Sequence, residues 1–204
     1  MTTAATIITN ARNRVGISST DGMATDAVML EMVAAACRRV ALMHDWPWLE
    51  SSETLSTVIG TTEYTPGATW RTTTRVSIEG DDLEYRTPRD MADYLEMDGR
   101  PVLYTVERGK LVLAPNPDAV YSVNHQFIRQ EVALATTADS PLVPDWAIDL
   151  PTTIVAHMLA ARIKDSGLQR LIEAEITDLI RSLRDETRRA RGYPKPKSRR
   201  DYIL

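Results

Sequence analysis

HDWPWLE, residues 44–50, decides how this chain is laid out. It gathers two of the four tryptophans around Pro47. Upstream lies an alanine-rich run with helical spacing, and downstream come short alternating segments rich in β-branched residues. Proline lacks a backbone N–H and pushes the residue before it out of the α region, so the helix must end near Trp46. Read as extended chain, Trp46 and Trp48 sit two residues apart and face the same side. Trp46, Pro47 and Trp48 are therefore expected to form a structural joint, with both rings wedged in the seam between a helical part and a strand-rich part. An exposed stacking surface is the competing reading.

Working back from the joint, the apolar spacing predicts a helix over 23–44. Its stripe is Met23, Ala27, Leu30, Ala34, Cys37 and Ala41, widened by Val33 and Val40. So many small side chains let neighbours approach closely, so this helix is expected to be flanked on more than one side. Ile7, Ile8, Ala11 and Val15 predict an earlier helix over 3–15, stopped by Gly16.

Forward from the joint, TLSTVIG, TRVSIEG, LEYRT, PVLYTVERG, KLVLAP and VYSVNHQFIRQ read as strands. Turn signals separate them at Glu79-Gly80-Asp81-Asp82, Arg108-Gly109 and Pro115-Asn116-Pro117-Asp118. Tyr121, Val123, His125 and Phe127 share one face of the last strand. Pro88 suits the first position of a short helix carrying Met91, Tyr94 and Leu95. Helical spacing returns near Asp145. A helix from Pro151 shows a face of Ile154, Met158 and Ala161, and Gly167 breaks it. A long amphipathic helix follows, striped by Leu168, Leu171, Ile172, Ile176, Leu179, Ile180 and Leu183. YPKPKSRRDYIL shows neither period and reads as extended.

The expected fold is α+β: a bundle of about four helices with an inserted antiparallel β-rich subdomain and an extended C-terminal tail. The bundle takes residues 1–50 and 145–191, the insert 51–144, and the tail 192–204.

Composition is that of an ordinary globular protein, 43% hydrophobic and 25% charged. MTTAATIITN lacks the features of a signal peptide. No apolar run approaches the roughly 18–20 residues that cross a bilayer, so no membrane partner is expected. The lone Cys37 suggests a reducing cytosol. Charge is uneven. Residues 187–204 hold seven Lys/Arg against one acid, +6, while the rest holds 17 bases against 27 acids, −10. The basic residues Arg188, Arg189, Arg191, Lys195, Lys197, Arg199 and Arg200 run beside Tyr193 and the end residues Tyr202, Ile203 and Leu204. Three readings apply: a solvated helix end, a nucleic-acid contact, or an arm docking on a protein. An acidic body speaks against nucleic acid.

Catalytic signatures are missing from the sequence: there is no nucleophile elbow, P-loop, dinucleotide fingerprint or zinc motif. His44, His125 and His157 are far apart, Cys37 shares no metal spacing with them, and His125 and His157 read as structural. Glu79, Asp81, Asp82 and Glu84 fall on a turn without the ligand order of a calcium loop. No catalytic, cofactor or metal residue is assigned, and the chain is expected not to be an enzyme. A hydrolase of unrecognised type would need a pocket uniting a His, a carboxylate and a hydroxyl.

IITNARNRVGI, the alanine-rich helix into DWPWLE, EYTPGA, LEYRTPRDM, and GKLVLAPNPDAVYSVNHQFIRQ before a closing helical pair occur in an order that resembles a known family. It is the head-to-tail adaptor, or connector, family of tailed bacteriophages, including the tail tubular protein A-like components of short-tailed phages. The resemblance covers roughly residues 5–190. It implies a structural virion protein at the neck, present in the host cytoplasm before assembly. It implies a homo-oligomeric ring of twelve copies below the portal protein, extending the DNA channel and offering a surface to the next tail or nozzle protein. Duplex DNA would pass without sequence-specific binding. Residues 188–204 then become the portal-docking segment. The alternative is a nucleic-acid-binding or regulatory module using the same basic tail.

Overall fold

The computed structural model describes residues 2–190. Helix α1 spans Ala4–Val15 and stops where Gly16 turns left-handed at φ 73°, its N–H closing on the Arg12 carbonyl. Helix α2 spans Asp26–Met43. Pro47–Leu49 forms one 3₁₀ turn. Then follow β1 (Glu50–Ser56), β2 (Glu63–Tyr64), β3 (Trp70–Ile78), β4 (Asp81–Asp82), β5 (Glu84–Tyr85), the short helix α3 (Pro88–Met91), β6 (Asp98–Gly99), β7 (Leu103–Glu107), β8 (Lys110–Ala114), β9 (Asn116–Pro117) and β10 (Ser122–Arg129). Helices α4 (Asp149–Arg162) and α5 (Ser166–Ala190) close the chain. The fold is α+β, four long helices and a mainly antiparallel β-rich part, as the sequence predicts. The chain divides into two compact units, residues 1–48 with 131–204, and residues 49–130.

In the helical unit α4 is the hub. It packs against α1, α2 and α5. Every residue from Leu150 to Ala156 is buried, and so are Leu159 and Ala160. A helix apolar all round belongs in the middle of a bundle. Thr152 and Thr153 are buried there because each hydroxyl donates to a carbonyl one turn back, Ile148 at 2.8 Å and Asp149 at 2.7 Å. The expected face of Ile154, Met158 and Ala161 is corrected: only Ile154 is buried, and Ala161 is exposed. Periodicity has no leverage on a helix covered from several sides.

The predicted stripe of α2 is also rotated. Its buried residues are Met29, Val33, Ala36, Cys37, Val40 and Ala41, while Met23 and Ala27 are exposed. The helix starts at Asp26, so Met23 lies in the preceding turn. The break between α4 and α5 is made by Lys164 at φ 61°, not by Gly167. Gly167 sits in the first turn of α5, where the Asp165 carboxylate accepts the Leu168 N–H at 2.9 Å.

Long-range ties complete this unit. Arg12, buried, donates through Nε to the Ala24 carbonyl at 3.1 Å and through Nη2 to Asp26 at 2.7 Å, fixing the start of α2 to α1. Arg14 bonds the Thr153 hydroxyl at 2.8 Å and Glu175 at 2.5 Å, joining α1 to α4 and α5. The first turn of α1 leaves orphan N–H groups. Ala4 and Ala5 donate theirs to Asp139 O and Thr137 O, both at 2.8 Å. Residues 131–144, expected in the insert, fall in the helical unit, where Thr137 and Asp139 cap the start of α1.

In the β unit one four-stranded sheet runs β1-β10-β3-β4, a second runs β2-β8-β7-β5, and β6-β9 forms a small third. Val76, Ile78 and Val123 from the first sheet meet Tyr104, Leu111 and Leu113 from the second in one core. Alternation decides the rest. Val112 and Ala114, the intervening residues of β8, turn to the other face and pack with Met91 of α3 and Leu103. Two hairpins close on two-residue left-handed turns, Glu79-Gly80 (φ 55° and 95°) and Arg108-Gly109 (φ 50° and 76°). Two short parallel pairs, β5 with β7 and β6 with β9, interrupt the antiparallel pattern.

Candidate functional site

HDWPWLE is not extended chain. The 3₁₀ turn at Pro47 lays the Trp46 and Trp48 rings face to face, centroids 4.6 Å apart and 10° from parallel. His44 meets Trp46 edge-on at 5.0 Å, and Trp146 meets Trp48 edge-on at 5.2 Å. The result is a ladder of four rings, all within the helical unit. Trp46 is fully buried and Trp48 half-buried. Trp146 is 54% exposed.

The ladder sits where α2 ends, and the position has a physical reason. The last four carbonyls of a helix lack intrahelical partners. The Trp46 indole N–H donates to Val40 O at 2.7 Å. From α5, Arg184 donates to Met43 O at 3.2 Å, adding a cation at the negative end of the helix dipole. Arg188 stands one turn further along α5, on the same side as Arg184. His44, Arg184 and Arg188 line a recess of about 360 Å³.

Of the predicted docking residues, Arg188 and Arg189 lie exposed in the last turn of α5. Arg191, Tyr193, Lys195, Lys197, Arg199, Arg200, Tyr202, Ile203 and Leu204 lie outside the described residues. Sequence reasoning missed Arg184 and Trp146. The spacing of four between Arg184 and Arg188 was a usable signal, whereas nothing local links Trp146 to residues a hundred positions earlier.

The β unit holds a second constellation. His125 is fully buried; Nδ1 lies 2.9 Å from Glu53 Oε1 and Nε2 lies 2.9 Å from the Thr73 hydroxyl. The order carboxylate, imidazole, hydroxyl is that of a hydrolytic relay. Its surroundings are those of a tie. The Thr73 oxygen accepts the Trp70 indole N–H at 3.1 Å, and the Glu53 carboxylate accepts the Gly67 N–H at 3.0 Å. The recess of about 550 Å³ on this sheet is lined by Glu50, Ser51, Ser52, Thr74, Arg75, Gln126 and Phe127, and by none of the three relay residues. The relay joins β1, β10, β3 and the loop around Gly67.

The acidic turn is matched by arginines. Arg100 meets Asp81 at 2.9 Å and Glu79 at 3.4 Å, Arg75 meets Asp82 at 2.6 Å, and Arg86 meets Glu84 at 2.8 Å. Among the described residues no group of three or more His, Cys, Asp or Glu is placed to hold a metal ion. No described helix is long and apolar enough to cross a membrane. Burial, reinforced by the Glu131 carboxylate, pushes the Cys37 thiol up from 9.0 to about 12, so it stays protonated and unreactive in the folded unit.

The chain is thus a helical unit interrupted by a β-rich insert, with guanidinium and indole groups gathered at the end of α2. The family model described as SU10 adaptor protein matches residues 2–200, and the chain belongs to that family of bacteriophage head-to-tail adaptors. No curated protein matches the chain.

Proposed function

We propose that this protein is a structural ring component of the virion neck. Twelve copies assemble below the portal, extend the DNA channel, and present the attachment surface for the next tail or nozzle protein. The proposal includes the finer kinship with tail tubular protein A-like components, a cytoplasmic stage before assembly, and no catalytic activity. The observation that carries it is the extent of the family match, which runs from residue 2 to 200 and so takes in helices, sheets and the basic segment together.

Physical chemistry supports the parts. A channel should not hold the duplex, because each neutralised phosphate adds affinity regardless of sequence. The net charge of −10 over residues 1–186 disfavours such holding. Residues 188–204, at the +6 end, serve as the portal-docking segment. Trp46, Pro47 and Trp48 act as the joint from which the chain leaves the helices for the strands.

Electron microscopy of purified virions or necks tests the ring. This chain is expected as a twelvefold ring between portal and tail, and finding it elsewhere in the particle, or off it, would sink the proposal. Deleting residues 192–204 is expected to leave a folded protein that no longer attaches to portal. Normal attachment by the truncated chain would remove the docking segment from the scheme. Salt-sensitive duplex binding by the isolated chain at physiological ionic strength would favour the nucleic-acid reading instead.

A further inference from the structure

We infer that the recess lined by His44, Arg184 and Arg188 receives a carboxylate side chain from an acidic segment of a partner protein, and that exposed Trp146 takes an apolar neighbour of that carboxylate. The inference rests on the adaptor reading for the kind of occupant, a structural protein.

The chemistry of the recess is specific. Two guanidinium groups one helical turn apart present planar N–H forks, the geometry that matches a carboxylate in two-point fashion. Arg184 is aimed by its bond to Met43 O, which uses one of its five N–H donors. His44 is set edge-on against a fully buried tryptophan, so that wall is rigid. The volume, about 360 Å³, suits a side chain and its neighbours rather than a whole helix.

Complementarity of charge points to an acidic occupant. The recess lies at the root of a basic run: Arg184 and Arg188 are followed by Arg189, Arg191, Lys195, Lys197, Arg199 and Arg200. A partner attracted to that run is led to the recess. Trp146 stands at the far end of the ring ladder, whose centroid steps are 5.0, 4.6 and 5.2 Å. Those steps put the two ends at most roughly 15 Å apart, within the span of four or five extended residues. Tryptophan and arginine are the residue types that dominate energetic centres in protein interfaces. Duplex DNA fits less well. It needs a track of cations along a surface, whereas here Asp45 follows His44, and Asp185 and Glu186 stand between Arg184 and Arg188 in sequence.

The test uses the full chain and watches the four indole N–H signals by NMR. The probes are the blocked peptide Leu-Asp-Leu-Glu-Leu, its neutral counterpart Leu-Asn-Leu-Gln-Leu, inorganic phosphate, and a DNA duplex. The acidic peptide is expected to shift the Trp48 and Trp146 signals saturably and at least about tenfold more tightly than the neutral one. Arg188→Gln and Arg184→Gln should each weaken it about tenfold. Trp146→Ala should weaken it several-fold without changing the melting temperature. Equal binding of both peptides, or no response to either arginine substitution, overturns the inference. Displacement of the peptide by duplex at physiological salt overturns it too, and reassigns the recess to nucleic acid. No portal or ring is required, so this result stands or falls apart from the ring assignment.

Discussion

The helical unit and the β unit solve the same problem in opposite ways. In the sheets, backbone groups are met by neighbouring strands, and side chains sort by a period of two, as Leu111 and Leu113 against Val112 and Ala114 show. His125, fully buried, has both nitrogens satisfied by Glu53 and Thr73 of neighbouring strands. In the helices the ladder is satisfied locally except at the ends, and the ends are met by residues far away in sequence. Thr137 and Asp139 terminate α1, and Trp46 and Arg184 terminate α2. The lesson is that the β unit pairs its charged groups among its own residues, buried at His125 and exposed around Arg75, Arg86 and Arg100, whereas the helical unit leaves guanidinium and indole groups at helix ends.

The sharpest way to break this contrast is Trp46→Ala. It empties a fully buried ring site and strips a carbonyl of its donor, so the helical unit should lose about 3–5 kcal/mol of stability. Denaturant unfolding followed by circular dichroism at helical wavelengths reads it; a loss below about 1 kcal/mol would mean the ladder is decoration. His125→Ala comes next. It leaves Glu53 and Thr73 without their shared partner, and should lower the unfolding free energy of the β unit by about 2–3 kcal/mol while thiol protection of Cys37 is retained. Equal loss of Cys37 protection would merge the two units into one cooperative body.

Cys37 supplies a third, pH-dependent handle. Its folded value of about 12 exceeds the ordinary 9.0, so above pH 9 the unfolded chain releases a proton that the folded one keeps. That stabilising difference is present below pH 9 in full and is lost as pH rises towards 12, at up to about 1.4 kcal/mol per pH unit. Cys37→Ala should flatten that slope in urea midpoints measured across the range. The smallest effect is expected at Leu171, 72% exposed on α5. Leu171→Asn should change stability by less than about 0.5 kcal/mol, and a larger loss in calorimetry would reveal packing that the isolated chain does not show.

Legibility in the sequence followed the range of the deciding interaction. Gly16, Pro88 and Arg108-Gly109 act through their own backbone angles, so the stop of α1, the start of α3 and the β7–β8 turn were all readable in place. The Trp46–Trp48 pair was readable as a boundary but not as a stack, because a single 3₁₀ turn, rather than strand alternation, sets the ring geometry. Of the candidate site, Arg188 and Arg189 came from charge alone. Arg184 hid within an amphipathic pattern, and its role appeared only with Met43 O beside it.

The sequence by itself determined the order of the long helices and main strands, the break at Pro47, one face of the last strand and the lopsided charge, since each depends on a local backbone preference, a period or composition. Tertiary structure alone decided that α4 is the buried hub, that Thr137 and Asp139 cap α1, and that Trp146 completes the ring ladder. Those outcomes depend on which distant segment satisfies an orphan carbonyl or covers a second face. A helix end needs a partner, but nothing in its own sequence states from which part of the chain that partner will come.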